Sequence, residues 1–495
     1  MPNSFTRRRF LPLLAGAASL RAQAAKRPNI LFVIADDWSY PHPNAEGHGW
    51  IKVPAFDRVA REGVRFTNCF TSNPKCSPSR ATILTGRNSW QLKEAVSHYS
   101  VFPSEFPVYP DLLEKAGYFV GYTGKGWAPG DFKSTGWARN PAGPLFLRHT
   151  LTPPYRGISN NDYTRNFEYF LEQKPKDAPF CFWLGGHEPH RGYEEGSGER
   201  AGRRLAGVKL PSYYPDNRII RSDLLDYALE VEWFDRHLGQ VVGKLEELGE
   251  LDNTLVVVTS DNGMPFPRAK GQIYDHSFHL PLAVRWGKNI PGGRVVDDFI
   301  NFRDFAPTFL ELAGLKPVPT MTGRSFLGVL RSSKAGVVDP TRNVMLVGKE
   351  RHDLGRPYDQ GYPVRAIRTP EFLYVRNYEP DRWPAGNPET GYRNVDDGPS
   401  KEFLLSGFDS YYRMSFGRRP AEELYLVKKD PDCATNVAPD LAYARIKREL
   451  RDRMEAMLRE EGDPRALGNA AFFDTIDYTG PRKHSYDNWL KNQNP

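Results

Sequence analysis

The sequence predicts an α/β domain built on a largely parallel sheet sandwiched by helices, with a smaller α+β domain after it. Three observations lead there. Continuous apolar runs, of the kind buried on both faces, alternate with stretches of helical periodicity. Almost every such run ends at a polar cluster. Beyond about residue 340 the runs shorten and take on an antiparallel character, which divides the chain into residues 25–340 and 341–495.

Residues 28–35 form the first buried strand, which stops at Asp36-Asp37. A helix over residues 56–63 carries Phe56, Val59 and Ala60 at helical spacing, and a short strand over 64–68 then feeds the loop that holds Cys76. Residues 110–116 form a helix ended by Gly117, which suits a left-handed cap. The strand over 118–122 stops at Thr123-Gly124-Lys125-Gly126, and the Gly-, Pro- and Trp-rich stretch to about residue 150 reads as a long surface loop. After a helical segment at 167–171, the strand over 179–184 stops at Gly185-Gly186-His187-Glu188-Pro189-His190. Residues 224–248 hold the longest helical pattern, and the strand over 254–259 stops at Ser260-Asp261-Asn262-Gly263. A strand over 281–286 and a helix over 304–312 complete the larger domain. In the smaller one, strands at 344–347, 365–369, 372–375 and 423–426 precede a closing amphipathic helix over 441–458.

The N-terminus reads as an export signal over residues 1–24. Thr6-Arg7-Arg8-Arg9-Phe10-Leu11 leads into a short apolar run, and Ala22-Gln23-Ala24 fits a small-residue cleavage site. The paired arginines suit a twin-arginine signal, with an ordinary secretory signal as the alternative, so the protein is expected in the periplasm or outside the cell. That run is too short to span a bilayer and no later one is long enough, so no membrane span is expected. A net charge of +7 suits an anionic substrate, but no dense Lys/Arg stripe points to nucleic acid. The four cysteines show no zinc spacing and imply no full disulfide framework.

Ligands of parallel α/β sheets collect at the carboxyl ends of the strands. That rule gathers Asp36, Asp37, Lys125, His187, Asp261 and Asn262 at one edge, and Cys76 and Arg80 reach it through a loop. Pro78 favours a first helical turn, which puts Cys76 near a helix N-terminus, where anions are attracted. Three aspartates and an asparagine are hard oxygen ligands, suited to calcium or magnesium rather than zinc. Arg80, Lys125 and Lys270 suit an oxyanion with several oxygens, Lys270 being returned to the edge by a proline-stiffened loop. His187 could protonate a leaving group. The array fits transfer of a sulfuryl or phosphoryl group.

Cys76-Ser77-Pro78-Ser79-Arg80, with Thr85-Gly86-Arg87 downstream and the pairs Asp36-Asp37 and Asp261-Asn262, resembles the signature of the type I sulfatases. The resemblance implies an alkaline-phosphatase-like fold and conversion of Cys76 to formylglycine by a formylglycine-generating enzyme or its equivalent. One hydroxyl of the aldehyde hydrate would attack sulfur, and the other would later expel sulfate. Asp36, Asp37, Asp261, Asn262 and residue 76 would bind calcium, with magnesium the lesser choice. Arg80 and Lys125 would hold the hydrate, while His187 and Lys270 would contact the sulfate and leaving group. Residues 185–191, 260–267 and 361–365 look most like the heparan N-sulfatase (sulfamidase) branch. That likeness implies sulfated oligosaccharides or polysaccharides, such as heparan-type glucosamine, as substrate, with an N–S or O–S bond cleaved. His190, Arg191, His352 and Arg365 are then expected to bind the sugar, together with the charged segment 350–356. One position departs from the pattern: Trp127 stands where many members carry a histidine that deprotonates the hydroxyl expelling sulfate, leaving His190, His98 or His352 as replacements. A phosphatase or phosphonate-ester hydrolase of the same fold, and a glycan-binding protein without turnover, are the competing readings.

Overall fold

The computed structural model describes residues 27–41, 49–407, 409–481 and 483–493, so the export signal expected over residues 1–24 lies outside the described residues. The central sheet has eight strands: β1 (Asn29–Ala35), β2 (Val64–Phe70), β3 (Phe119–Gly124), β4 (Phe180–Gly185), β5 (Thr254–Ser260), β6 (His279–Arg285), β7 (Arg294–Val296) and β8 (Ile300–Asn301). Their order is β8-β2-β6-β5-β1-β4-β3, with β7 also pairing with β2. β1 lies parallel between β4 and β5, whereas β6 runs antiparallel to both β5 and β2. Two reversals cancel, so β2 points the same way as β1, and the loop leading to Cys76 leaves from the same edge as Asp36 and Asp261.

Alternation along β1 divides the core. Ile30, Phe32 and Ile34 face one side and Leu31, Val33 and Ala35 the other. The first face is covered by Ile83 and Leu84 of a helix over Cys76–Thr85, Leu113 of Tyr109–Lys115, and Phe305 and Phe309 of Phe305–Leu312. The second is covered by Phe56 and Val59 of Pro54–Glu62, Phe167 and Phe170 of Tyr163–Gln173, and Leu224 to Leu245 of the long helix Arg218–Glu247. With both faces covered, the strands lack the polar alternation of a half-exposed sheet, which is why they read as continuous apolar runs.

A second sheet, β9 (Met345–Lys349), β10 (Val364–Arg368), β11 (Leu373–Asn377) and β12 (Glu422–Tyr425), is an antiparallel meander. Leu450, Met454 and Leu458 of the helix Ala444–Glu460 pack on one of its faces. That helix is not the last: Ser485–Gln493 forms another. The stretch after Lys125 also differs from a plain surface loop. Trp127 is buried, edge-on to Phe102, and Gly130–Asp131 pairs with Ser100–Val101. Among the described residues no helix is long and apolar enough to cross a membrane.

Candidate active site

Cys76 is the first residue of its helix, with Lys75 in extended conformation as the N-cap. Every residue of this helix is buried, and its C-terminus is closed by Gly86 at φ +66° donating to Thr82 O. The thiol is 1 % exposed and its sulfur lies 3.6 Å from Asp36 Oδ1. Burial pushes the thiol pKa well up, so Cys76 as a free cysteine stays protonated and is a poor nucleophile.

The strand ends deliver the rest. Asp36 and Asp37 follow β1, and Asp37 adopts φ +78°, uncommon outside Gly, Asn and Asp. This turns its carboxylate toward Asn262 Nδ2 (2.7 Å) and Lys270 Nζ (2.7 Å). Asp261 Oδ1 accepts from the Asp37 backbone N–H at 3.1 Å, and Asp261 Oδ2 from Arg80 Nε at 2.8 Å. Lys125 Nζ donates to Asp36 Oδ2 at 2.6 Å. The β3 and β4 ends approach closely: a Cβ on Gly185 would sit 1.9 Å from Lys125 O, so only glycine lets Lys125 and His187 emerge side by side. His187 is anchored through its backbone N–H to Tyr163 Oη (2.9 Å), which in turn donates to the buried Glu188 (2.7 Å).

Asp36, Cys76 and Asp261 each offer a ligand atom within 4.8 Å of the others. Burial, then the charge of Asp36, raises Asp261 to about 7; burial also raises Asp37, to about 6. Burial works against ionised Asp36 too, but Lys125 and Arg80 outweigh it and hold its pKa well below the usual range. Asn262 Oδ1 is buried with no hydrogen-bond partner. Crowded carboxylates around an orphaned amide oxygen make a set of hard acceptors that fits a divalent cation.

A cavity of about 470 Å³ opens over this cluster, lined among others by Asp36, Cys76, Lys125, His187 and His190. His187 is exposed to it, yet the surrounding protein, and then Lys125, hold its pKa down to about 4. His190 donates from Nδ1 to Arg191 O (3.0 Å), which leaves Nε2 of the neutral ring bare, 4.0 Å from Asp37 Oδ2. Arg80 is fully buried beneath the cavity, donating to Asp261 and to the carbonyls of Lys125 (2.6 Å) and Gly126 (3.1 Å).

The expected sugar-binding residues divide. Arg191 borders the cavity, but its guanidinium is held in place by both oxygens of Asp223 (2.8 and 2.7 Å) and by Pro265 O, which engage all three of its nitrogens. His352 does not reach the cavity: it is 3 % exposed, with Nε2 2.7 Å from Asn73 Oδ1. Arg365 is also corrected. It is fully buried between Asp463 and Glu350 and lies over the Trp90 ring at 5.4 Å. Its motif borrowed the look of a binding arginine, but the antiparallel pairing of β9 and β10 turns it into the interior. Trp127 donates from Nε1 to Ser77 O at 3.0 Å and braces the turn that carries Cys76.

In a neighbouring set, the sequence points to Lys270, His98 and, within segment 350–356, Asp353, but not to Lys75 or Asp396. Lys75 pairs with Asp353 (2.7 Å), whose other oxygen holds His98 Nδ1 (2.8 Å), and Lys270 reaches Asp396 at 3.1 Å. Lys75 directly precedes Cys76, which was the available signal; Asp396 lies in a stretch with no pattern to mark it.

The fold, the strand-end carboxylates and the buried Cys76 turn define a hydrolase centre for an oxyanion ester. The chain belongs to the sulfatase family, whose model matches residues 28–315, and it is accordingly a sulfuric ester hydrolase. It is 26 % identical to an ulvan-active sulfatase of Formosa agariphila, over 94 % of this chain and 80 % of that one. It is 26 % identical to human N-sulphoglucosamine sulphohydrolase, over 89 % of this chain and 91 % of that one. An N-acetylglucosamine-6-O-sulfatase of Bacteroides thetaiotaomicron is 25 % identical over 91 % and 89 % of the two chains. A chain solved with its substrate D-glucosamine-2-N,6-O-disulfate shares the fold at TM-score 0.63 and 22 % identity, covering 88 % of this chain and 99 % of that one. A phosphonate monoester hydrolase of Silicibacter pomeroyi superposes at TM-score 0.66 and 18 % identity, covering 88 % and 96 %.

Proposed function

We propose that this enzyme removes sulfate from sulfated glycans, glucosamine-type units among them, through a formylglycine formed from Cys76 and a bound calcium ion. The observation that carries the reading is Cys76 on a buried first helical turn, beside Asp36, beneath a cavity lined by Lys125 and His187. Relatives named for N-sulphoglucosamine and N-acetylglucosamine-6-O-sulfate support the sugar class. Asp36, Asp37, Asp261 and Asn262, with residue 76, would hold the cation. When present, the cation supplies positive charge to a sulfate oxygen and the aldehyde hydrate supplies the attacking hydroxyl.

The chain's own residues do the remainder. Lys125 attracts the sulfate to the Cys76 end of the cavity and stays charged, since Asp36 outweighs the burial that opposes its protonation. Arg80 fixes the Lys125 carbonyl and Asp261 and keeps the floor rigid. His187, exposed to the cavity, is placed to donate a proton to the departing oxygen or nitrogen; an incoming anion raises its proton affinity. With Trp127 buried against Ser77 and His352 bound to Asn73, His190 and His98 are the candidate histidines left at the cavity to take the hydroxyl proton in place of the histidine absent at position 127. Export to the periplasm or beyond, directed by residues 1–24, belongs to the same proposal.

The test is sulfate release from a panel containing N-sulfated and 6-O-sulfated glucosamine, run beside phosphate and phosphonate esters. Turnover of the sulfated sugars is the expected result. Preference for phosphonate monoesters, the chemistry named for the Silicibacter structure, would favour the second reading.

A further inference from the structure

Beside the Cys76 cavity lies a second chamber of about 300 Å³, and the two share His98, Tyr99 and His190 as lining. The chambers differ in the groups they present: the first has Lys125 and His187, whereas the second has Arg393 and the carboxylates of Asp353 and Asp396, with the partner lysines of the two carboxylates tucked behind. Lys75 and Lys270 side chains are 2 % and 3 % exposed, against 16 % for Asp353 and 25 % for Asp396. Asp353 has both oxygens engaged, by Lys75 and His98. Asp396 Oδ2 is ion-paired with Lys270 at 3.1 Å but accepts no hydrogen bond, and Oδ1 has no side-chain or backbone donor among the described residues. Burial opposes its charge, but Lys270 and then Lys75 prevail and keep Asp396 ionised. Arg393, exposed at the same chamber, has no ion-pair or hydrogen-bond partner for its guanidinium among the described residues.

The geometry points to Asp396 and Arg393 as the specificity-determining pair for the sugar ring that bears the scissile sulfate, Asp396 accepting from its hydroxyls and Arg393 donating to its oxygens. This rests on the glycan-sulfatase reading above. Lys125 draws the sulfate toward Cys76, which leaves the hydroxyl-bearing ring over the adjoining chamber, in reach of Asp396 and Arg393. A fixed carboxylate and a free guanidinium together match the mixed donors and acceptors of a pyranose, because one only accepts and the other only donates. A sugarless aryl sulfate makes neither contact.

The experiment compares kcat/KM for a sulfated glucosamine and for an aryl sulfate in wild type, Asp396→Asn and Arg393→Ala. The expected result is that the sugar-to-aryl ratio falls about tenfold or more in each variant, mainly through KM for the sugar. Arg393→Ala alters an exposed, unpaired side chain and keeps the test decisive if Asp396→Asn fails to fold. An unchanged ratio in a folded variant, with wild-type sugar turnover intact, overturns the chamber assignment and leaves the glycan-sulfatase reading standing. A wild-type enzyme that hydrolyses the aryl sulfate but no sulfated sugar overturns both.

Discussion

Among the buried charge clusters of the described residues, the one around Cys76 faces a cavity, whereas the one around Arg365 closes on a fully buried guanidinium. Around Arg365 the accounts are closed: Asp463 takes Nε and Nη2, Glu350 pairs with both Arg365 and Arg465, and the guanidinium lies over the Trp90 and Phe473 rings at 5.4 and 5.7 Å. Around Cys76 they are not. Asn262 Oδ1 has no partner, Asp261 and Asp37 are raised toward neutrality, and Lys125, though paired with Asp36, lines the cavity. Buried charge alone therefore marks a staple as readily as a site. Residual demand, in the form of an orphaned acceptor or a crowded carboxylate beside a cavity, separates the two.

Substitutions should split along that line. Cys76→Ala is expected to lower sulfate release by about 10⁴-fold or more, with cooperative unfolding preserved. Arg365→Ala should do the reverse, costing about 3–5 kcal/mol in denaturant unfolding because it strands the buried Asp463, Glu350 keeping only Arg465, while the folded fraction keeps its kcat. If Arg365→Ala instead abolished turnover in a stable protein, the distinction would collapse. A chelator should silence the wild type and calcium restore it, and Asn262→Ala should need about 10–100-fold more cation for half-restoration. The smallest effect concerns the seam between the clusters, where Asp353 joins His98 to Lys75. Burial lowers His98 from 6.5 to about 4. Between those values the unfolded chain binds the proton more tightly, so the stability from keeping His98 neutral is present above about pH 6.5 and is lost as pH falls toward 4. Unfolding of His98→Gln at pH 7 and pH 5 should show the gap to wild type closing by about 1–2 kcal/mol on acidification.

Much of the first cluster was legible because strand ends are punctuated. An apolar run buried on both faces has to stop somewhere, and Asp36, Lys125, His187 and Asp261 stand where β1, β3, β4 and β5 stop. The reversed direction of β6 was not legible, since a strand buried on both faces reads alike in either orientation. Arg365 and His352 misled because segment 350–365 is rich in charge, which suggests solvent or ligand; the partner that neutralises Arg365, Asp463, is far along the chain. Asp396 was invisible for the same reason: only the fold brings it to Lys270. Trp127 read as a missing base, and what its sequence could not give was the hydrogen bond to Ser77 O that makes it part of the Cys76 turn.

The most direct measurement is the mass of the peptide containing residue 76, taken from enzyme made in a host that carries out the conversion. The account predicts an aldehyde in place of the thiol in the active fraction, with sulfate release rising in proportion to that fraction. An active enzyme whose residue 76 is wholly unmodified cysteine would contradict it.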